Sequence, residues 1–244
     1  MRTPRIYTQA PLSEGTSREL EQGPSQHIAR ALRMQVDDAL VLFDGSGAEY
    51  PATITSVTKK HVSVAIGERQ AVSKESPLAI HLGIALSRGE RMDFVIQKAT
   101  ELGVTELTPL FTERVEVKLN QERSEKKLRH WEAVAISACE QSGRNTLPSI
   151  HPPRQLVQWL DDTAADLKLV MHHRADKAAE AADRPGTIAL LIGPEGGLSQ
   201  DEINGAESAG YRALQLGPRV LRTETAPLAA IAILQSQWGD MKAD

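Results

Sequence analysis

The spacing of apolar residues changes once along this chain, near residue 70. Before that point the apolar residues come in short runs, several alternating with polar ones. Residues 5–8, 39–43, 49–57 and 61–66 read as strands, because a period of two puts every second side chain on one face. Asp44-Gly45-Ser46-Gly47 and Lys59-Lys60 separate them as turns. Residues 25–34 have helical spacing, with His27, Arg30 and Met34 along one line and Ile28, Ala31 and Leu32 on the apolar side. Short antiparallel strands around one helix predict a small β-barrel. Residues 67–76 are polar and aperiodic, and a linker is placed at about 71–76.

From residue 78 onward, strands alternate with longer helices. Residues 78–86 form an apolar strand, 91–102 an amphipathic helix closed by Gly103, 105–111 a strand, and 124–141 a long helix closed near Gly143. Residues 167–171, 187–192 and 213–216 add three strands, with helices between and after them. This βαβ rhythm predicts an α/β domain with a mostly parallel sheet covered on both faces. The chain therefore divides into a barrel over 1–70 and an α/β domain over 77–244.

Composition narrows the picture. Of 244 residues, 41% are hydrophobic and only 4% aromatic, so the cores rest on Leu, Val, Ile and Ala. The single cysteine, Cys139, excludes a disulfide framework and fits a reducing cytoplasm. Arg2 and Arg5 have no apolar stretch behind them, which predicts no signal peptide. The apolar run 226–234 is interrupted by Pro227 and is too short to span a bilayer. A net charge of −4 argues mildly against nucleic acid as a partner. Charge is local, however: Arg2, Arg5, Arg30 and Arg33 gather early, and Arg88 and Arg91 flank one strand end.

Two segments carry candidate chemistry. In the first, the strand Leu190-Leu191-Ile192 runs into Gly193-Pro194-Glu195-Gly196-Gly197, and Ser199 with Glu202 forms a capping box for the next helix. The glycines let a ligand approach the main chain, at the strand end where open α/β sheets bind ligands. No Lys-Ser/Thr pair follows, and the spacing is not G-x-G-x-x-G, so neither a Walker loop nor a dinucleotide fingerprint is present. Glu195 disfavours a phosphate and suits an amine or a ribose. A plain strand-to-helix connection is the competing reading. The second segment is Leu216-Gly217-Pro218-Arg219-Val220-Leu221-Arg222-Thr223-Glu224-Thr225, again after a strand and before a helix, with Thr223 or Thr225 as N-cap. Together the two loops would wall one pocket; alternatively their arginines are surface charges and their threonines caps.

With these loops, the chain resembles the SPOUT-class RNA methyltransferases, and more closely the bacterial 16S ribosomal RNA uridine N3-methyltransferases. The resemblance extends to Pro4-Arg5-Ile6-Tyr7, His27-Ile28-Ala29-Arg30-Ala31-Leu32-Arg33-Met34, Leu42-Phe43-Asp44-Gly45 and Ser87-Arg88-Gly89-Glu90-Arg91-Met92. It continues through Gln97-Lys98-Ala99-Thr100-Glu101-Leu102-Gly103-Val104, Cys139-Glu140-Gln141-Ser142-Gly143-Arg144 and Leu221-Arg222-Thr223-Glu224-Thr225. Pro227, in a first helical turn, departs from the pattern.

The resemblance implies an N-terminal PUA-like β-barrel that binds RNA and a C-terminal SPOUT α/β domain with a deep trefoil knot made by the two glycine-rich loops. It implies S-adenosyl-L-methionine as cofactor, bent and gripped by main-chain groups around Met171, Leu191, Gly193, Pro194, Glu195, Gly196 and Gly197, and around Leu216, Gly217, Val220, Leu221, Arg222 and Thr223. It implies a homodimer acting on 16S rRNA within the small ribosomal subunit, with no metal and no membrane. Methyl transfer from a sulfonium is an in-line displacement that depends on alignment. The N3 proton of uracil must leave, so a cation to stabilise negative charge and a carboxylate to take the proton are needed. Arg88 and Arg222 are candidates for the first role, and Glu101, Glu195 and Glu224 for the second. Arg5, Arg30, Arg33 and Arg144 are candidates for RNA contact.

Plainer readings stand beside these. Cys139 reads as an inert core thiol, His172-His173 lacks partners at metal-ligand spacing, and 122–129 is a solvated helix face. Residues 225–238 form a helix apolar nearly all round, which predicts burial on most sides and a second subunit as cover. Two rival functions remain: a non-catalytic RNA-binding or ribosome-assembly factor with the same fold, and a nucleotide-dependent enzyme with an unusual phosphate loop.

Overall fold

The computed structural model describes residues 3–87, 89–115, 117, 119–172 and 184–242. The chain splits into two compact units, Met1–Glu75 with Ile136–Leu147, and Ser76–Ala135 with Pro148–Asp244.

The first unit contains β1 (Arg5–Tyr7), β2 (Ser17–Glu19), α1 (Gln22–Gln26), β3 (Ala39–Phe43), β4 (Glu49–Val57) and β5 (Val62–Ile66). They form a five-stranded sheet in the order β1-β3-β4-β5-β2. The β1–β3 pair is parallel and the other pairs are antiparallel. Tyr50, Ala52 and Ile54 of β4 and Val62, Val64 and Ile66 of β5 are buried in one core, as the alternating pattern requires. β2 escapes the sequence pattern because Ser-Arg-Glu has no apolar residue; its pairing with β5 rests on the backbone. The helix starts at Gln22, earlier than the spacing predicts, and becomes a π-helical turn over His27–Leu32 that ends at Arg33 with φ 54°. That widened turn keeps Ile28 fully buried.

Two arginines hold this unit together. Arg5 donates to Glu49 at 2.5 Å and also to Asn145, and Arg144 donates to Glu75 at 2.5 Å. Their side chains are 6% and 5% exposed. Arg5 and Arg144, both candidates for RNA contact from the sequence, are thus enclosed by Glu49, Asn145 and Glu75 rather than presented on the surface. Arg30 and Arg33 are exposed. Cys139 is fully buried, and burial above all, with Glu75 and Glu140 adding to it, pushes its thiol up to about 12. The thiolate is therefore inaccessible near neutrality, as expected of a core thiol.

The second unit contains β6 (Ala79–Ala85), α2 (Arg91–Glu101), β7 (Glu106–Phe111), α3 (Gln121–Ser142, which runs on into the first unit), β8 (Ser149–Ile150), β9 (Arg154–Gln155), α4 (Leu156–Asp162), β10 (Leu167–Met171), β11 (Thr187–Ile192), α5 (Gln200–Ser208), β12 (Arg212–Leu214) and α6 (Thr225–Trp238). Its sheet has the order β12-β10-β11-β6-β7-β8, and every pair is parallel. β11 shows why its apolar run is continuous. Ile188, Leu190 and Ile192 enter a core under α2 and α6, while Ala189 and Leu191 enter a second core under α4 and α5. Gly103 closes α2 with φ +85°, the left-handed conformation expected of a helix-ending glycine.

α6 departs from expectation in two ways. Its N-cap is Glu224, without a side-chain cap bond, so neither Thr223 nor Thr225 caps it. Ala226, Ala230, Ile231 and Leu234 are buried, whereas Leu228, Ala229 and Ala232 are half-buried and Ile233 is 48% exposed. Within one chain the helix is thus covered on one side only. Among the described residues, no helix is long and apolar enough to cross a membrane.

Candidate active site

The glycine-rich turn after β11 is a compact, clamped structure. A Cβ on Gly193 would lie 2.9 Å from Cγ of Leu198 and 3.1 Å from its backbone nitrogen, so the turn folds back too closely for any side chain there. Gly197 sits at φ +70°, and its amide donates to the Pro194 carbonyl at 2.8 Å. Ser199 then caps α5 with the expected capping box: its Oγ accepts from the Glu202 amide at 3.3 Å, and Glu202 Oε2 accepts from the Ser199 amide at 2.8 Å.

Long-range contacts complete the clamp. Arg114, in the loop after β7, donates from Nη1 to the Gly196 carbonyl at 2.6 Å and, more weakly, to that of Leu198 at 3.4 Å. The amide of Glu113 donates to Glu202 Oε1 at 2.7 Å. Arg91, the first residue of α2, donates to Glu195 at 2.5 Å across a pair that is nearly half exposed. The glycine-rich turn is therefore held from α2, from the β7 loop and from its own following helix.

The loop after β12 is different. Gly217 has φ +66°, Val220 is 85% exposed, and Arg219 and Arg222 are also exposed. Among the described residues, no backbone hydrogen bond is made by residues 215–221. Order returns at the Arg222 carbonyl, which accepts from the amides of Thr225 and Ala226, both at 2.9 Å, while Thr223 is buried. Met171, Leu216 and Leu221 pack partly buried against the core that contains Ile192. Parallel pairing brings the ends of β10, β11 and β12 together, and these three residues lie over the shared core there. The side chain of Leu191 faces the opposite core, so only its main chain can serve this site. Beside Met171, both ring nitrogens of His172 are buried without a hydrogen-bond partner.

The candidate acid–base residues do not all converge. Glu195 is engaged by Arg91, and Glu224 is half-buried beside the exposed Arg222. Glu101 lies at the far end of α2, bonded to Lys98 at 2.8 Å. Ten residues of helix separate it from Arg91, about 15 Å of rise, so the fold does not bring Glu101 to the glycine-rich turn within one chain. Arg88 and His173 lie outside the described residues. At the carboxyl end of β6 a cavity of about 250 Å³ is lined by Leu86, Ser87, Gly89, Met92 and Trp131, among others. The buried Nε1 of Trp131 has no acceptor. Sequence reasoning missed Arg114 and Trp131. Neither carries a local signal, because each acts on residues distant in the chain.

The comparisons with known proteins agree with this geometry. The RNA methyltransferase domain family matches residues 74–235, and the RNA methyltransferase PUA domain family matches residues 25–67. The ribosomal RNA small subunit methyltransferase E of Buchnera aphidicola is 35% identical over 98% of this chain and 95% of its own length. That of Bacillus subtilis is 30% identical over 95% of this chain and 97% of its own. A structure of a putative methyltransferase from Legionella pneumophila, in complex with the bound cofactor SAM, superposes with a TM-score of 0.95 at 44% identity, covering 98% of this chain and all of that one. The Neisseria gonorrhoeae ribosomal RNA small subunit methyltransferase E, bound to S-adenosyl methionine, superposes with a TM-score of 0.94 at 40% identity, covering 99% of this chain and 100% of that one. With both domain families matched in order and relatives aligned from end to end, the chain belongs to the ribosomal RNA small subunit methyltransferase E family.

Proposed function

We propose that this chain is an S-adenosylmethionine-dependent methyltransferase of small-subunit ribosomal RNA, and that it methylates N3 of a uracil. Family membership along the whole chain carries the first part. The donor set tests the cofactor. The site offers an apolar floor of Met171, Leu216 and Leu221, main chain over 215–221 that makes no backbone hydrogen bond among the described residues, two buried ring nitrogens on His172 and a carboxylate on Glu195. An adenosyl group with a cationic sulfonium and an amino-acid tail matches that set; a triphosphate, which needs clustered cations, does not.

The cofactor supplies an activated methyl group. The chain's residues supply position and charge. Gly193 to Gly197 and Leu216 to Leu221 shape the two walls, and Arg222 stabilises charge that develops on the uracil carbonyl oxygens. Arg88 is the second candidate for that role. Glu224 accepts the N3 proton, because Glu195 is held by Arg91 and Glu101 is remote. The cavity beside Trp131, at the carboxyl end of β6, receives the acceptor base.

Further features of the proposal follow the family resemblance. The N-terminal unit is a PUA-like barrel over residues 1–70 and contacts RNA through Arg30 and Arg33; the α/β domain, 77–244, carries a trefoil knot. The half-covered outer side of α6 supports a homodimer, since Leu228, Ala229 and Ala232 are only half-buried and Ile233 is exposed without one. The substrate is the RNA within the small ribosomal subunit, in the cytoplasm. The deciding experiment supplies labelled S-adenosylmethionine with free 16S rRNA or assembled small subunits and maps the product. One N3-methyluridine is expected. Folded protein that binds no S-adenosylmethionine, or a methyl group on another atom, overturns the reading.

A further inference from the structure

The amino ends of β6 and β7 gather three residues that methyl transfer does not use. His81 lies in register with Ala189, three residues before the level of Ile192, about 10 Å along the strands from the glycine-rich end. Nδ1 of His81 is 3.9 Å from Oε2 of Glu106, and Nε2 of His151 is 2.8 Å from the same oxygen. One donor atom can be chosen from each residue so that all lie within 4.8 Å of one another. A cavity of about 290 Å³ adjoins them, lined also by Thr108, Arg154 and Thr163. From this geometry we infer a divalent-cation site, fitted to Zn²⁺, formed by His81, Glu106 and His151, with water in the fourth position.

Ligand type and distance carry the argument. Two imidazoles and one carboxylate are a tetrahedral zinc set that leaves one position open. Zinc–ligand bonds of about 2.0–2.1 Å at the tetrahedral angle put ligands about 3.3 Å apart. The observed 2.8 and 3.9 Å bracket that figure. The side chains of Glu106 and His151 are 46% and 38% exposed, so shifts of half an ångström are open to them. His81 is the fixed partner. Its ring meets Trp159 edge-on, with centroids 5.3 Å apart, and Trp159 in turn lies on Gly83, where a Cβ would be 2.6 Å from the indole. Arg154 is the opposing charge in the cavity, and Asp162 is its ion-pair partner.

Coordination changes the tautomer of His81. Without metal, Nε2 accepts from Trp159 Nε1 at 3.2 Å, so the proton sits on Nδ1, toward Glu106. Metal on Nδ1 displaces that proton to solvent. Nε2 then takes up a proton and donates it to the Thr108 hydroxyl, 2.8 Å away, and Trp159 loses its acceptor. The ion would tie β6, β7 and the residue after β8 together on the face remote from the glycine-rich turns. Spacing could not reveal the set, because its members come from three separate strands or their ends, and the sequence reading assigned no metal.

The test titrates metal-stripped, untagged, full-length protein with Co²⁺ and then Zn²⁺. One equivalent of Co²⁺ should give the visible bands of a four-coordinate ion, shift the tryptophan emission, and be displaced by Zn²⁺, which raises Tm. Glu106→Gln and His151→Ala, at half-exposed positions, should abolish the bands and the Tm rise while leaving S-adenosylmethionine affinity unchanged. Absence of bands up to millimolar Co²⁺, or bands that persist in both variants, would overturn the inference.

Discussion

The turn after β11 and the loop after β12 both follow a parallel strand, both contain a glycine at positive φ, and both precede a helix. They differ in what holds them. The first is pinned by the Ser199–Glu202 capping box, by Arg114 on two carbonyls, by the Glu113 amide on Glu202 and by the Arg91–Glu195 pair. The second has no backbone bonds over 215–221 among the described residues, exposes Val220, and enters α6 without a side-chain cap. In the proposed cofactor site, the first loop is the wall that the protein itself preorganises. In the same proposal, the second loop keeps main chain over 215–221 open for the ligand, the more adaptable arrangement.

Substitutions at the two loops test that contrast. The largest effect is expected at the clamped turn. Gly197→Val forces a β-branched residue to φ +70°, a strain of about 1–2 kcal/mol, and should lower Tm and abolish S-adenosylmethionine binding by calorimetry. Gly217→Val meets the same backbone restriction in similarly open space, but residues 215–221 around it carry no backbone hydrogen bonds among the described residues for the strain to break, so it should reduce affinity with a smaller change in Tm. An equal Tm loss in both variants would end the distinction between a pinned and an unpinned wall.

Ser199→Ala removes the α5 cap and should cost about 1 kcal/mol in denaturant unfolding. Arg114→Ala, an exposed side chain, should leave stability almost unchanged yet weaken S-adenosylmethionine several-fold, because the Gly196 and Leu198 carbonyls lose their anchor. The smallest effect belongs to the other loop. Thr225→Ala should change stability by less than about 0.5 kcal/mol, since Thr225 caps nothing. A cost equal to that of Ser199→Ala would show that the two helix starts are supported alike.

Much of this was legible before any coordinates. The strands over 167–171 and 187–192, the capping box at Ser199 and the closing glycine of α2 follow from interactions within a few residues, and each is found where the sequence places it. Arg5, Arg30, Arg33 and Arg144 show the opposite case. They look alike in sequence, yet two are exposed and two are enclosed by Glu49, Asn145 and Glu75. Separating them requires knowing that residues 136–147 return to the first unit.

The family and the two glycine-rich loops were determined by the sequence, because glycine spacing and capping chemistry are local and survive without knowledge of neighbours. The clamp of Arg114 on Gly196, the remoteness of Glu101, the open side of α6 and the gathering of His81, Glu106 and His151 were decided by tertiary structure alone. Each depends on strand order. In a parallel sheet that order is set by which buried faces pack best against the covering helices, a property of the whole core that no short stretch of residues encodes.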